Sequence, residues 1–326
     1  MRVLVTGATG FLGNVLVDRL IADGLAPVAL VRASSRTDRL EGRGVPCRVA
    51  DLHSGEGVEE ALRDVDAVVH AAGGGHVLDV AAIHANNTET TATLLSAVAT
   101  TNPALKRFVL VSSLAAHGPS PSGRARDASE SPRPITHYGR SKAAAEAAVL
   151  ACADQFPVTI ARPSAIYGPG DWRMAPLYRA AERGWVPLPA SSRTASMVHV
   201  RDCASAISAM VSQDHASGRI YFVDDGAPLE TAVMARIIGD AVGRRVRVLR
   251  VPGWALRVAG VVSEGVGRLR GRAVLFHRDK VRELLQPHWI CDSTPLREEL
   301  GWRPEVTFEE GALETAADYR TQGLLR

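Results

Sequence analysis

The N-terminal segment Arg2-Val3-Leu4-Val5-Thr6-Gly7-Ala8-Thr9-Gly10-Phe11-Leu12-Gly13 is the most informative part of the sequence about the architecture of the chain. It is a short apolar run followed by glycines at every third position. A strand that ends in such a turn and leads into a helix is the context in which glycines predict dinucleotide binding. Gly7 allows the tight turn, Gly10 lets the backbone approach a pyrophosphate, and Gly13 allows close helix–strand packing. Because N–H groups at a helix start attract anions, we expect cofactor contacts from Gly7, Thr9, Gly10, Phe11, Leu12 and Gly13.

Beyond this turn, short apolar runs alternate with helical patterns. Further strands are expected at residues 27–31, 46–50, 67–70, 108–112 and 158–161, and the principal helices at residues 11–23, 78–100 and 139–153. Fully apolar strands that alternate with helices indicate a parallel sheet covered on both faces. Because crossovers between parallel strands are right-handed, the economical topology is an α/β, doubly wound Rossmann fold.

The pattern changes after about residue 168, where prolines interrupt irregular segments. Residues 1–170 are therefore expected to form the dinucleotide-binding domain. A helix at 202–211 and a strand at 219–223 predict a return to its sheet within residues 195–225. Residues 171–194 and 226–326 are expected to form a smaller, C-terminal substrate-binding cap. The Ser-, Pro- and Arg-rich residues 120–133 predict an exposed loop near the active site.

The composition is that of an ordinary globular protein, with 46% hydrophobic and 22% charged residues. The net charge of +3 is small and the basic residues are dispersed, so no nucleic-acid partner is expected. Cys47, Cys152, Cys203 and Cys291 form no CxxC pair, and the histidines form no HExxH pattern. The sequence therefore predicts neither a disulfide framework nor a metal site, and it favours a cytoplasmic location.

The chain enters a strand at once, which is not the pattern of a secretory signal peptide. The most apolar late stretch, residues 254–276, is interrupted by one glutamate and several arginines. Such a stretch does not predict a transmembrane helix. An interfacial helix and a lid over an apolar substrate are both compatible with it.

The end of the second strand indicates which dinucleotide is bound. A carboxylate there accepts hydrogen bonds from the ribose hydroxyls of NAD, whereas an Arg there can bind the 2′-phosphate of NADP. Residues 28–31 are followed by Arg32, Ser34 and Arg36, and the first acid is Asp38. We therefore expect NADP, held by Arg32, Ser34 and Arg36, with NAD the less favoured cofactor. A solvated surface cation is the alternative interpretation of Arg32.

Three residues predict proton-transfer chemistry. Tyr138 and Lys142 lie four apart near the start of a helix and therefore project from one face. A nearby ammonium and a positive nicotinamide ring would lower the phenol pKa from about 10. Ser113 ends the fifth strand, at the carboxyl edge where open α/β sheets bind ligands. We expect Ser113, Tyr138 and Lys142 to be catalytic, with Lys142 also contacting the nicotinamide ribose and with Ser112 as the alternative serine.

The glycine spacing of residues 7–13 together with Tyr138-x-x-x-Lys142 resembles the extended branch of the short-chain dehydrogenase/reductase superfamily. Residues 162–171, 198–202 and 299–304 are similar to later landmarks of that branch. The resemblance implies that a homodimer forms, and it favours Ser113, which directly precedes a short segment ending in Gly. It also implies further cofactor contacts, from Asp51 and Leu52 at the adenine, Ala71, Ala72 and Gly73 at the adenosine ribose, and Pro163 and Ile166 at the nicotinamide.

The resemblance does not choose the reaction, because this branch includes epimerases, dehydratases and ketone reductases. Nucleotide-sugar members often have Asn where this chain has Ala165. They also often place a diphosphate-binding Arg near the position of Ala195, from which Arg193 is offset by two. Dehydratases normally have an Asp-Glu pair after the catalytic Ser/Thr, where Leu114-Ala115 stands here.

These departures favour an NADP-dependent carbonyl reductase or alcohol dehydrogenase, similar to dihydroflavonol-reductase-like and 3β-hydroxysteroid-dehydrogenase-like enzymes. The apolar residues within 251–262 suit a hydrophobic small-molecule substrate, although they are equally compatible with ordinary core. In reduction, a ketone held by Ser113 and Tyr138 would take hydride from the nicotinamide and a proton from Tyr138. A nucleotide-sugar 4-epimerase with the same triad is the alternative function. A dinucleotide-sensing scaffold is another, which the intact Tyr138 and Lys142 disfavour.

Overall fold

The computed structural model describes residues 1–74, 79–215 and 217–326. In this part of the chain the strands are β1 (Arg2–Thr6), β2 (Ala26–Val31), β3 (Cys47–Val49), β4 (Ala67–His70), β5 (Arg107–Val111), β6 (Val158–Pro163), β7 (Ala165–Tyr167), β8 (Trp185–Pro189), β9 (Thr194–Ala195), β10 (Met197–His199), β11 (Arg219–Val223), β12 (Leu229–Glu230), β13 (Arg247–Val251) and β14 (His288–Trp289).

The helices are α1 (Phe11–Ala22), α2 (Asp38–Glu41), α3 (Val58–Ala61), α4 (Val80–His84), α5 (Thr90–Thr101), α6 (Leu114–His117), α7 (His137–Leu150), α8 (Ala175–Glu182), α9 (Val200–Ser212), α10 (Thr231–Ala241), α11 (Gly253–Leu269), α12 (Arg278–Leu284), α13 (Thr294–Leu300) and α14 (Phe308–Thr321). A π-helical turn, Ala85–Glu89, joins α4 to α5, and a 3-10 turn, Trp172–Met174, precedes α8.

The central sheet has the strand order β11-β6-β5-β4-β1-β2-β3, and its neighbouring strands pair in parallel. The predicted α/β, doubly wound fold is therefore confirmed. β1 lies between β2 and β4, so the chain winds outward from β1 in both directions. Parallel sheets of this kind bind ligands at that switch point, outside the carboxyl ends of the strands.

Alternating side chains of β1 enter two separate apolar layers. Val3 and Val5 pack in the layer that contains Leu16 of α1 and several residues of α9. Leu4 packs in the opposite layer, with Leu94 of α5. Because successive strand residues point to opposite faces, a sheet covered on both sides needs such uninterrupted apolar strands. The layers hold the carboxyl ends of β1, β4 and β5 in one plane.

Element boundaries differ from the predicted ones where tertiary contacts extend or interrupt an element. The helix expected at 78–100 contains the π-helical turn Ala85–Glu89, and Leu78 lies outside the described residues. α7 begins two residues early, because the Thr136 hydroxyl accepts a hydrogen bond from the Gly139 N–H at 3.0 Å. β6 continues to Pro163, since Val223 at the end of β11 still pairs with that residue.

The C-terminal half adds short paired strands and its own apolar cluster. β7 pairs with β10, β8 with β13, and β9 with β12 and β14. Tyr178 of α8, Ile238 of α10 and Tyr319 of α14 share this cluster. The division into a dinucleotide-binding domain and a cap stays a prediction. None of the helices in the described ranges is both long enough and apolar enough to cross a bilayer.

Candidate active site

The glycine turn packs its backbone against the end of β4. Gly7 has a φ of +71°, which side-chain-bearing residues rarely adopt, and a Cβ there would lie 2.8 Å from the Ala71 carbonyl. The Gly10 N–H donates to the Gly7 carbonyl at 2.9 Å. A Cβ on Gly13 would overlap that same carbonyl oxygen. The turn therefore presents bare backbone at the start of α1, which is the surface a pyrophosphate requires.

A cavity of about 390 Å³ opens beside this turn, at the switch point of the sheet. The predicted cofactor residues that line it are Gly7, Thr9, Gly10, Arg32, Asp51, Leu52, Ala71, Ala72 and Gly73. Those that do not line it are Phe11, Leu12, Gly13, Ser34, Arg36, Lys142, Pro163 and Ile166. Lining residues that the sequence analysis missed include Ser35, His53, Gly74, Asn86 and Thr90. The position and the glycine wall fit the adenosine half of a dinucleotide.

The turn after β2, at residues 32–35, lies at the mouth of this cavity. The Ser35 hydroxyl accepts from the Arg32 N–H at 3.1 Å, and the Ser35 N–H donates to the Arg32 carbonyl at 2.9 Å. This tight turn places Ser35, rather than Ser34, against the cavity. The Arg32 side chain is exposed, and it forms no ion pair with any described residue.

Ser113 and Tyr138 are brought together by the close contact of α6 with α7. Ser113 caps α6, where its hydroxyl accepts from the Ala115 N–H at 3.1 Å. A Cβ on Gly139 would overlap the Ala115 carbonyl oxygen, so the residue after Tyr138 must be small for the helices to approach. The Ser113 side chain lies close enough to the Tyr138 hydroxyl to lower its pKa.

The pKa of Tyr138 moves in the direction opposite to the predicted one. Burial raises the pKa of this phenol above its ordinary value, while the nearby Ser113 side chain and the charge of Arg173 act to lower it. Lys142 was expected to lower the pKa, but in the protein alone the loss of hydration is the largest effect. Tyr138 is therefore a neutral phenol at pH 7, the form that can give a proton.

Lys142 links this pair to the cofactor cavity. The side chain is buried, and its Nζ donates to the Val111 carbonyl at 2.9 Å. A Cβ on Gly73, which lines the cavity, would lie 3.4 Å from that Nζ. Burial lowers the pKa of Lys142 to about 8, and the charge of Glu146 opposes this shift.

Asn87 is a site residue that the sequence analysis missed. It lies in the π-helical turn, is buried, and its Oδ1 accepts from the Gly74 N–H at 3.1 Å. Its Nδ2 donates to the carbonyls of Gly74, at 3.0 Å, and Ile83, at 2.8 Å. Asn87 therefore holds the cavity wall next to Lys142. An Asn among small polar residues was the only sequence signal, and the π-helical turn that directs it inward is not visible in the pattern.

A buried polar network lies behind the Ser113–Tyr138 pair. Ser112 donates to Glu146 Oε1 at 2.5 Å, and Arg162 binds both oxygens of Glu146, at 3.0 and 2.7 Å. Arg162 Nη1 also donates to His117 Nδ1 at 2.9 Å. Burial, with the charge of Arg162, lowers the pKa of His117 to about 3, so this imidazole is a neutral acceptor. The hydroxyl of Ser112 is thus committed to Glu146, whereas that of Ser113 lies close to Tyr138.

The segment after β7 supplies another residue that the sequence analysis did not single out. Arg173 donates to Asp171 at 2.6 Å, and its guanidinium lies 5.6 Å from the centre of the Phe11 ring. The same charge acts on Tyr138. Arg173 therefore lies near the start of α1, and its charge reaches the Tyr138 hydroxyl.

The predicted exposed loop at 120–133 is mostly exposed, but it is anchored at Arg126. That side chain is buried, because its guanidinium donates to the His117 and Ser131 carbonyls, both at 2.8 Å.

The family-like segment at residues 198–202 makes a structural contact. The carboxylate of Asp202 accepts from the Glu305 and Val306 N–H groups at 3.0 Å.

Proteins of known activity share this fold along nearly their whole length. The chain is 31% identical to the ceramide reductase of Caulobacter vibrioides, covering 99% of this chain and 96% of that protein. It is 29% identical to the UDP-glucose 4-epimerase of Vibrio cholerae, covering 96% and 94%. The crystal structure of UDP-glucose 4-epimerase from Thermus thermophilus in complex with NAD matches at 25% identity and a TM-score of 0.78, covering 98% and 99%.

Fold and relatives together define an NAD(P)-dependent enzyme built on a Rossmann sheet. The sequence model of the NAD dependent epimerase/dehydratase family matches residues 3–223, and the chain belongs to that family. The resemblance to extended short-chain dehydrogenases/reductases, predicted from the glycine turn and Tyr138-x-x-x-Lys142, is thereby confirmed.

Proposed function

We propose that this protein is an NADP-dependent reductase that converts a carbonyl group of an apolar small molecule to a hydroxyl group. Ser113, Tyr138 and Lys142 would be its catalytic residues. The observation that carries the proposal is the proximity of the Ser113 side chain to the Tyr138 hydroxyl. The buried ammonium of Lys142, next to Gly73 of the cofactor cavity, supports it. Similarity to a ceramide reductase over nearly the full length supports this class of reaction.

Each side chain has a distinct role in this proposal. NADPH, when bound, would supply the hydride. The neutral Tyr138 phenol gives its proton to the carbonyl oxygen, and Ser113 donates a hydrogen bond to the same oxygen. Lys142 is charged below about pH 8, where its ammonium can bind ribose hydroxyls and stabilise the tyrosinate that proton transfer leaves behind.

The preference for NADP rests on Arg32 at the mouth of the cavity. We predict that Arg32→Asp weakens NADPH binding about tenfold to a hundredfold, the range of one charge-assisted hydrogen bond, and leaves NADH binding equal or tighter. Titration calorimetry with both cofactors measures this. Arg236→Asp, an exposed substitution on α10, serves as the control. An unchanged NADPH affinity in Arg32→Asp would contradict the assignment.

A nucleotide-sugar 4-epimerase with the same triad is the second candidate, favoured by the similarity to the Vibrio cholerae enzyme. Two features of the expected diphosphate position weigh against it. Arg193, the arginine nearest the expected diphosphate position, donates through Nε to the Leu284 carbonyl at 3.0 Å. Ala195 of β9 is paired with Trp289 of β14 and carries no charge, so it offers no anion-binding group.

The deciding experiment compares NADPH consumption with long-chain ketones against interconversion of UDP-glucose and UDP-galactose. The reductase proposal expects one NADPH oxidised per ketone reduced. Tyr138→Phe should lower kcat about 10²- to 10⁴-fold, whereas Tyr221→Phe, whose hydroxyl bonds Glu299, should leave kcat unchanged. Epimerisation without NADPH consumption would establish the second candidate. Cofactor binding with no turnover of either kind would indicate a dinucleotide sensor.

We also propose a cytoplasmic location and a homodimer. Four free cysteines support a reducing compartment. The family resemblance supports the dimer, and light scattering coupled to gel filtration tests it.

A further inference from the structure

Helix α11 packs against the protein through one narrow face made of glycine. Gly253, Gly260 and Gly267 are seven residues apart, and Gly260 and Gly267 are its buried residues. A Cβ on Gly260 would lie 2.7 Å from a Val281 methyl, and one on Gly267 would lie 2.8 Å from the Arg272 carbonyl. The glycines therefore let α11 lie close against α12 and the segment between the two helices.

The opposite face of α11 is an apolar stripe that faces solvent. Trp254 is 68% exposed and Leu269 is 89% exposed. The spacing of three or four residues puts the members on one side of the helix over about 23 Å, from 1.5 Å per residue. The stripe consists of Trp254, Val258, Val261, Val262, Val266 and Leu269. Contiguous exposed apolar surface of this kind marks an interaction site.

Positive charge frames this stripe. Arg257, Arg270 and Arg272 are exposed and form no ion pair with any described residue. The only acid in α11 is Glu264, which already pairs with Arg268 at 2.8 Å and Arg278 at 3.1 Å. The outer face of α11 is thus apolar in its centre and basic along its side and at its C-terminal end.

We propose that α11 is a membrane-docking helix that lies in the interface of an anionic bilayer, with the apolar stripe among the acyl chains and the arginines against lipid phosphates. An apolar face with an aromatic residue and flanking arginines is the pattern of helices that lie in this plane. A second copy of the chain fits less well. Its own arginines would meet these arginines, and the stripe offers no acid to pair with them.

This surface is one helix away from the candidate active site. α11 packs on α12 at Gly260 and Val281. Asp279 of α12 accepts from the His137 N–H at 2.7 Å, directly before Tyr138. Docking would therefore hold the site next to the bilayer, where apolar substrates partition. Membrane binding does not depend on the proposed reaction. The test therefore measures binding to vesicles and not turnover.

The test is co-sedimentation of the full chain with vesicles of phosphatidylcholine alone or mixed with phosphatidylglycerol. Wild type should bind the anionic vesicles about tenfold more tightly, and less tightly as salt is raised. Val258→Glu/Val262→Glu and the milder Leu269→Ser should each weaken binding. Leu313→Glu, at an exposed apolar position on α14, should not. Arg257→Gln/Arg270→Gln should remove the anionic preference, and Arg236→Gln/Arg303→Gln should retain it.

Circular dichroism and urea unfolding establish that each variant is folded, and Leu269→Ser alters only the last, most exposed position of the helix. Equal binding of wild type to both vesicle types, or none to either, would overturn the proposal. It would also be overturned if the stripe variants kept wild-type vesicle binding but changed from dimer to monomer in light scattering, since the stripe would then be an interface between copies.

Discussion

At the scale of single residues, two neighbouring serines at the end of β5 make contacts in different directions. Ser112 donates to Glu146 in the buried network, whereas Ser113 caps α6 and lies close to the Tyr138 hydroxyl. Successive residues of an extended chain point to opposite sides. Ser112 therefore points into the buried polar network, and Ser113 faces the candidate site.

Substituting Ser112 should mainly lower the stability of the protein, whereas substituting Ser113 should mainly lower its activity. Ser112→Ala removes a buried hydrogen bond to a charged group, so the free energy of unfolding should fall by about 1.5–3 kcal/mol with kcat nearly unchanged. Ser113→Ala should lower kcat about 10²-fold and lower the free energy of unfolding by only about 1 kcal/mol through the lost cap. Steady-state kinetics and urea unfolding measure both effects. A larger loss of kcat in Ser112→Ala than in Ser113→Ala would make Ser112 the catalytic serine.

Residue types pointed to Arg32, Ser113 and Tyr138 in advance, but not to Ser35 or Asn87. Ser35 faces the cavity and Ser34 does not, because the backbone turn at Arg32 and Ser35 sets their directions. Asn87 was not predicted, since its role depends on the distant backbone of Gly74. Residue chemistry is readable from sequence, whereas contact geometry is not.

At the scale of elements, the glycine turn determines how closely α1 approaches β1. Gly13→Ala would place a Cβ against the Gly7 carbonyl oxygen, so α1 must move away from the pyrophosphate position. We expect the NADPH dissociation constant to rise at least about tenfold and the protein to be destabilised by about 1–3 kcal/mol. Fluorescence titration and thermal unfolding measure these effects.

Gly265→Ala is the matched control for this substitution. Gly265 is also within a helix, and its Cβ would meet nothing within 4 Å. Its helix should become slightly more stable, since alanine is favoured over glycine in helices. If Gly13→Ala bound NADPH as tightly as Gly265→Ala does, close packing of α1 would not be needed for cofactor binding.

Across the protein as a whole, buried neutral histidines connect separate strands and helices through hydrogen bonds. Thr6 Oγ1 accepts from the Ala72 N–H at 3.0 Å and lies 2.7 Å from His70 Nδ1. His70 Nε2 lies 3.1 Å from the Thr91 hydroxyl, which donates to the Asn87 carbonyl at 2.5 Å. This chain of contacts suits an imidazole protonated on Nε2 only. It joins β1, β4 and α5 beneath the cofactor cavity.

Three such histidines should make the protein less stable in mild acid. Burial lowers the pKa of His70 and His117 to about 3 and that of His199 to about 4, whereas the unfolded chain binds these protons near pH 6.5. The unfolded state therefore takes up more protons as the pH falls from 6.5 to about 4. Each histidine should reduce the free energy of unfolding by about 2 kcal/mol at pH 5.

Asp225 acts in the opposite direction, because burial raises its pKa to about 6 and the folded state then binds the proton more readily. It should offset about 1 kcal/mol of this loss at pH 5. Urea unfolding between pH 7 and pH 5 gives the net change, and NMR titration of the imidazoles gives the site values. Titration of His70, His117 and His199 near pH 6.5 in the folded protein would contradict the prediction.

The strand–turn–helix at residues 2–13, the parallel α/β fold, the family, and the candidates Ser113, Tyr138 and Lys142 could all be predicted from the amino-acid sequence. Those inferences depend on local properties: which backbone angles glycine permits, how apolar residues repeat, and which side chains transfer protons. Packing of distant segments was needed to show that Ser112 bonds Glu146, that burial raises the pKa of Tyr138, and that α11 turns glycine inward and its apolar stripe outward. Each of these depends on groups far apart in the chain, whose desolvation and contacts exist only once the layers have packed.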